Sequence, residues 1–338
     1  MKTIGILTSG GDSQGMNAAV RAVTRSALAK GMKVMGIHGG YKGLITGEIE
    51  ELTATSVSNT LSKGGTWLQT ARCLEFKDEA GILKGVETCK KFGIEGIVVL
   101  GGDGSFRGAR ALCLHGIKCV AIPCTIDNDI VCSEYTIGFD TCLNICLDCI
   151  DRLRDTCASH DRCSVVQIMG KNAGWVTLEA SILGGATCVV VPEIKFDFQK
   201  DVVDRINAGK ALGKKNFIVV VSEGVFFNVK SNQNYDYVVA NGIDSAAKFA
   251  KAVEKATGVE SREAVLGHIQ RGGSPTAKDR LIASEMGFYA VNLLEKDIYN
   301  RVVVVRDGKV TDLDILEGLN MQKPFDVDRY KMANALNI

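Results

Sequence analysis

Short apolar runs alternate with longer amphipathic stretches from the first residues onward. Residues 3–7, 33–38, 94–100 and 118–122 are rich in Val, Ile and Leu and end in Gly or polar turns, which predicts buried strands. A helix is predicted over 16–30, and another after the turn at 101–105. Three strands thus run into polar or Gly-rich turns that lead towards helices. That is the layout of a doubly wound parallel sheet, with ligands at the strands' carboxyl ends. One long helix is predicted at 140–159, followed by a second α/β set with strands at 163–169, 188–192 and 216–222. The polar stretch 226–242 predicts a loop or β-excursion on the surface. A helix over 244–257 is stopped by Gly258, a turn occupies 270–275, a helix covers 279–294, and a last clear strand covers 302–305. No linker rich in Pro, Gly or Ser interrupts the pattern, so the chain is free to cross between two domains more than once.

The strand ends carry the chemistry. Beyond Pro123 comes Cys-Thr-Ile-Asp-Asn-Asp. If the backbone stays extended there, Thr125, Asp127 and Asp129 share a face while Ile126 and Asn128 point away. Two carboxylates and a hydroxyl suit metal-assisted chemistry or proton transfer; the alternative is a polar loop with an Asx turn. Thr8-Ser9-Gly10-Gly11-Asp12 precedes a helix start and reads either as a phosphate loop or as a tight βα turn. Gly101-Gly102-Asp103-Gly104-Ser105 is a second such loop, with Asp103 as either a Mg²⁺-bridging acid or a helix N-cap. Arg72, Arg162, Arg262 and Arg271 stand near Gly-rich turns or in the second half, with His268 between the last two. Arginine suits bidentate phosphate contacts; a surface salt bridge is the alternative for each.

Composition narrows the class. The chain has 338 residues, 46% of them apolar, enough for two domains with full cores. Forty basic residues against 39 acidic ones give a net charge of +1, which argues against a nucleic-acid or anionic-membrane surface. No apolar run approaches the roughly 20 residues of a membrane span, and no signal-peptide pattern precedes the first strand, so a cytoplasmic protein is expected. Twelve cysteines lie between Cys73 and Cys188. Cys142, Cys146 and Cys149 share a helix face, but a soft-metal site lacks an evident fourth ligand, and buried free thiols are the expectation.

Seven motifs together carry a resemblance. T-S-G-G-D-x-x-G-M-N-A (8–18), G-G-T-x-L-x-x-A-R (64–72), L-G-G-D-G-S (100–105), P-x-T-I-D-N-D (123–129), Y-T-I-G-F (135–139), M-G-x-x-x-G (169–174) and L-G-H-I-Q-R-G-G-S-P (266–275) run nearly end to end. The chain resembles the 6-phosphofructokinases of the short bacterial type. The resemblance implies two Rossmann-like three-layer α/β/α domains with the active site in the cleft between them. The larger, nucleotide-binding domain would take 1–139 plus about 270–322, and the smaller, sugar-phosphate domain 140–269 plus about 323–338. It implies a glycolytic kinase that phosphorylates the 1-hydroxyl of fructose 6-phosphate with ATP and Mg²⁺. Asp127 would be the base, and Asp103 and Asp129 would serve the metal. Gly11, Arg72, Cys73, Gly102, Asp103, Gly104 and Ser105 would meet the donor, with Thr125 beside the transferred group. Gly11, Arg72, Thr125 and Lys171 would assist transfer. Asp127, Asp129, Met169, Gly170, Glu223, His268 and Arg271 would hold the sugar phosphate. Arg162 and Arg262 would reach it from a neighbouring subunit, which implies a homotetramer with shared sites.

Departures from the family pattern matter. ATP users carry Gly at the positions of Gly104 and Cys124, whereas pyrophosphate users carry Asp and Lys. Gly104 favours ATP; Cys124 fits neither pattern but adds no cation. Lys171 replaces a usual Arg and loses its fork. Residues 226–242 look like an insertion. Arg21, Arg25, Arg154, Gly185 and Lys214 match parts of the family's effector site for ADP or phosphoenolpyruvate. Ala54, Thr187 and Leu212 replace an Arg, a metal-binding Glu and a Lys, so weak or absent effector control is expected.

Overall fold

In the computed structural model, residues 1–336 are described. The chain opens with β1 (Thr3–Thr8), α1 (Met16–Ala29), β2 (Lys33–Ile37), α2 (Tyr41–Thr46), β3 (Ile49–Leu52) and α3 (Glu79–Lys91). It continues with β4 (Gly96–Gly101), α4 (Asp103–Leu114), β5 (Lys118–Pro123) and the long α5 (Phe139–His160). Next come β6 (Cys163–Ile168), α6 (Trp175–Leu183), β7 (Cys188–Val190), α7 (Asp204–Ala211), β8 (Phe217–Ser222), α8 (Tyr235–Ala240), α9 (Ala246–Thr257) and β9 (Ser261–Val265). The last elements are α10 (Ala277–Glu295), β10 (Arg301–Arg306), β11 (Lys309–Asp314), α11 (Ile315–Asn320) and α12 (Val327–Leu336). Two compact units result, one made of Met1–Thr141 and Arg271–Lys323, the other of Cys142–Gln270 and the chain from Pro324 onward. The chain therefore crosses between them three times, once inside α5.

The first unit holds a seven-stranded sheet in the order β11-β10-β5-β4-β1-β2-β3. Its five central strands are parallel, while β3 and β11 close the edges antiparallel. The expected all-parallel sheet is corrected there, and β11 follows the strand read as the last. Both edge strands have part-exposed, charge-rich sequences, IEEL and KVTDLD, which is why apolar patterning missed them. Alternation along the central strands builds two cores. Ile4, Ile6, Val98, Leu100, Val120 and Ile122 pack with α1 and α10 on one face. Leu7, Ile97, Val99, Cys119 and Ala121 pack with α3 and α4 on the other. The second unit is a four-stranded parallel sheet in the order β7-β8-β6-β9, also with cores on both faces.

The stretch 226–242 is not a β-excursion. It contains α8, and its anchor is the buried Asn234. That amide donates to the carbonyls of Val191 and Ile194, at 3.1 and 2.8 Å, and accepts from Phe196 N–H at 3.1 Å. Gly258 ends α9 as read, in the left-handed conformation with φ +72°. Among the described residues no helix is long and apolar enough to cross a membrane.

One buried acid organises the junction between β5 and α10. Asp279 is fully buried and accepts from the Tyr135 hydroxyl at 2.6 Å, Gly138 N–H at 2.7 Å, and the Thr141 N–H and hydroxyl at 2.8 and 2.5 Å. Removing it would strand those donors away from water. Asp279→Ala should lower unfolding stability by about 3 kcal/mol or more, the cost of breaking a buried charged network. Urea unfolding checks this, and a loss below about 1 kcal/mol would contradict the role.

Candidate functional site

The loops at 8–12, 101–105 and 124–129 sit at the carboxyl ends of β1, β4 and β5. Ser9 N–H donates to Leu100 O at 2.8 Å and Cys124 N–H to Gly101 O at 2.9 Å, so the three strand exits are stitched side by side. Gly15 caps α1 with φ +98°, where a Cβ would lie 2.6 Å from Ile137 Cγ2. The 64–72 segment lies against the first loop. Thr8 Oγ1 donates to Gln69 O at 2.8 Å, and Thr70 Oγ1 to Gly10 O at 2.9 Å. Asn17 holds the same segment, donating to Lys63 O and Gly64 O and accepting from Trp67 N–H at 2.9 Å. Arg72 and Cys73 follow Thr70 after one intervening residue, with Arg72 exposed. Arg271 Nη1 donates to Asp12 O at 3.0 Å and lies over Gly11, which joins it to the 8–12 loop within this unit.

Asp103 and Gly104 open α4 and are exposed; Ser105 is buried. The N-cap is Gly102, and no side chain caps the helix, so the N-cap reading of Asp103 is corrected. The space around Gly104 is open, with nothing within 4 Å of where a Cβ would be.

Of the two readings of the stretch beyond Pro123, the polar turn holds and the extended alternation does not. Pro123 is still in the strand, but a turn follows at residues 126–127 and Asn128 takes φ +49°. Asp127 N–H donates to Thr125 Oγ1 at 3.2 Å, so a local hydroxyl acceptor competes with continued extension. Thr125, Asp127 and Asp129 are therefore delivered by a turn rather than by a shared strand face. Asp127 is buried and Asp129 half-buried. Ile137 N–H donates to Pro123 O and Thr125 N–H to Ile137 O, at 3.0 and 3.1 Å, which fixes the turn to the 135–141 segment. Cys124 is fully buried in the core beside β5, and burial pushes its thiol far up. It presents no cation to a donor.

Sequence reading missed Lys323. Its ammonium donates to Asn128 O at 3.1 Å. Burial lowers its pKa while the Asp129 carboxylate works the other way. Asp103 in turn raises the thiol of Cys132, which Lys323 lowers, after the larger effect of burial. Asp103 and Asp129 are both oxygen acids, the ligand type that Mg²⁺ takes, and among the described residues no group of three or more His, Cys, Asp or Glu is placed to hold a metal ion.

The second unit carries the other residues. Glu223 Oε1 accepts the N–H groups of Gly170 and Lys171, at 3.2 and 2.7 Å, and Gln270 Oε1 accepts that of Met169 at 2.8 Å. These acceptors hold the loop after β6, where Lys171 is left-handed at φ +55°. His268 is exposed in the tight turn just past β9. Arg162 and Arg262 lie elsewhere, at the amino ends of β6 and β9. Both pair with Glu260, with Arg162 Nε at 2.9 Å. The six residues of β6 separate them from Met169 by about 20 Å along the strand. Glu260, held low in pKa chiefly by Arg162, was not singled out from the sequence. Among the effector-like residues, Arg154 Nη2 is bonded to the carbonyls of Gly184 and Gly185, and Lys214 Nζ reaches Thr187 Oγ1 at 3.5 Å. Arg21 and Arg25 lie on α1 in the first unit; Ala54 and Leu212 are exposed.

Comparison with known proteins gives concordant results. The phosphofructokinase family model matches residues 3–294. The chain is 47% identical to an ATP-dependent 6-phosphofructokinase of Bacillus velezensis, and 48% identical to those of Clostridium tetani and Clostridium botulinum, with both chains fully covered each time. Among solved structures, Pichia pastoris phosphofructokinase in the T-state superposes with a TM-score of 0.84 at 30% identity, covering 99% of this chain and 36% of the other. A pyrophosphate-dependent phosphofructokinase from Marinobacter aquaeolei shares the fold at 20% identity, TM-score 0.80, covering 97% of this chain and 86% of that one. With the motif loops at the strand ends and a match along its whole length, the chain belongs to the phosphofructokinase family.

Proposed function

We propose that this chain is an ATP-dependent 6-phosphofructokinase, transferring the γ-phosphoryl group of ATP to the 1-hydroxyl of fructose 6-phosphate to give fructose 1,6-bisphosphate and ADP. The carrying observation is the full-length identity of 47–48% to proteins of that name. The reaction is a glycolytic step, and we assign the protein to the cytoplasm, where ATP and phosphorylated hexoses are held.

Asp127 is the base. It is buried at the turn after β5, and a carboxylate is a chemically suitable acceptor for the 1-hydroxyl proton. Asp103 and Asp129 would hold Mg²⁺, which neutralises charge on the phosphate oxygens as the phosphoryl group moves. The N–H groups at the start of α4, the Gly11 backbone and Arg72 bind the donor phosphates. Thr125 lies beside the transferred group. Met169, Gly170, Glu223, His268 and Arg271 orient the sugar phosphate, with Lys171 adding charge. Gly104 supports ATP over pyrophosphate, because the open space beside it admits the α-phosphate. Arg162 and Arg262 stand at the far end of β6 from Met169 in their own chain, which supports service to a neighbouring subunit's site in a homotetramer.

Asp127→Ser should lower kcat by roughly 10²–10⁴-fold with the fold intact, measured in a coupled assay; near-normal turnover would remove it as base. Gly104→Asp should reduce kcat/KM for ATP by at least about tenfold with little change in KM for fructose 6-phosphate, since the carboxylate enters open space beside the phosphates. Side-by-side assays with ATP and pyrophosphate decide the donor, and turnover with pyrophosphate alone would overturn the assignment. Arg162→Ser should mainly raise KM for fructose 6-phosphate, and mixing it with Asp127→Ser in reassembled oligomers should restore activity; no recovery would argue against shared sites. ADP and phosphoenolpyruvate at sub-millimolar levels should scarcely move half-saturation by fructose 6-phosphate, because Arg154 and Lys214 are engaged internally and three effector-site residues are replaced.

A further inference from the structure

The stretch 226–242 takes no part in the assignments above, yet its polar side chains reach the loop after β6. Ser231 Oγ donates to Asn172 O at 2.6 Å. Gln233 N–H donates to Pro192 O at 2.9 Å, and Gln233 Nε2 to Glu193 O at 2.5 Å. With the three bonds of Asn234, these tie residues 191–196, just past β7, to the stretch. Asn232 Nδ2 folds the stretch back on its own start, donating to Val225 O and Phe227 O at 2.7 and 2.9 Å.

The tied segment in turn seats the end of the loop. Glu193 Oε1 accepts Gly174 N–H at 2.8 Å. A Cβ on Gly174 would lie 2.6 Å from Val191 Cβ and 2.7 Å from Glu193 Oε2, so the loop rests directly on that segment. Burial raises the Glu193 pKa, and the Gly174 N–H works the other way. The backbone groups of the loop are thus held in two halves. Gln270 and Glu223 hold the N–H groups of residues 169–171. Ser231 holds the Asn172 carbonyl, and Glu193, itself tied to Gln233, holds the Gly174 N–H.

We propose that 226–242 is a brace that orders the second half of the 169–174 loop before the phosphorylated sugar binds, with Ser231 and Glu193 as positioning residues. The inference rests on the functional reading in which Met169, Gly170 and Lys171 meet fructose 6-phosphate. Each positioning residue acts through the loop backbone. A loop ordered in advance spares the ligand that ordering entropy, so the brace raises affinity for the sugar without changing the transfer step. The loops at 8–12 and 101–105 belong to the other unit, so the donor's affinity is untouched.

Steady-state kinetics and amide hydrogen exchange of the intact protein test this. Ser231→Ala should raise KM for fructose 6-phosphate roughly two- to tenfold, the worth of one such hydrogen bond, with kcat and KM for ATP within about twofold of the parent. Glu193→Ala should act in the same direction, whereas Glu193→Gln, which keeps an acceptor for the Gly174 N–H, should stay near the parent value. If Glu193→Ala fails to fold, the part-exposed Ser231 carries the test alone. Exchange in Ser231→Ala should quicken at least about twofold at residues 172–174 and hold at 169–171. An unmoved KM for fructose 6-phosphate in Ser231→Ala, an equal rise in KM for ATP, or unchanged exchange at 172–174 would overturn the brace and leave the kinase assignment standing. No turnover of fructose 6-phosphate by the parent protein would instead overturn that assignment and the sugar role with it.

Discussion

The buried Asp279 carboxylate is the constraint on which the first unit's reactive turn depends. A carboxylate taken out of water is costly unless donors surround it. Here burial raises its pKa, and Thr141, Tyr135 and Gly138 pull the other way. Those donors belong to the segment that bridges to Pro123 and Thr125 through Ile137. The placement of Asp127 thus traces through one segment to an acid about 150 residues later in the chain. Tyr135 carries a second constraint, since its ring lies under the Lys278 ammonium at 4.6 Å.

Distant side chains hold other loops in the same way. Beyond the last ladder bond the backbone N–H and C=O groups lack sheet partners, and glycine-rich loops are least able to hold themselves. Side-chain amides, an acid and a lysine take over. Asn17 holds residues 63–67, Glu223 and Gln270 hold residues 169–171, and Lys323 holds the carbonyl of Asn128. Each of these residues lies far in sequence from the loop it fixes. Loops held in advance in this way need little rearrangement to present their backbone groups to a ligand.

The cysteines divide by environment. Burial pushes Cys89 and Cys188 up to about 12 and Cys132 up to about 11. At neutral pH such thiols are small apolar groups that fill the cores. Cys124 belongs with them. The residue that left the donor open in the sequence proves to be packing material in the sheet's core, while the space beside Gly104 is open. Nothing in the structure explains why so many core positions use cysteine.

The sequence by itself determined the α/β alternation, the central strands, the glycine-rich exits and the family, because buried parallel strands leave contiguous apolar runs and phosphate loops demand glycine. It did not reveal β3, β9 or β11, whose part-exposed, polar sequences pair only because a neighbouring strand offers an edge. It left 123–129 open between an extended face and a polar turn, and the turn is what forms. Local propensity does not show that Thr125 accepts the Asp127 N–H or that Asn128 is held left-handed beneath Lys323. Asp279, Lys323 and Glu260 carry no motif of their own. Their roles come from long-range contacts, and only tertiary structure decides which buried charge meets which donor.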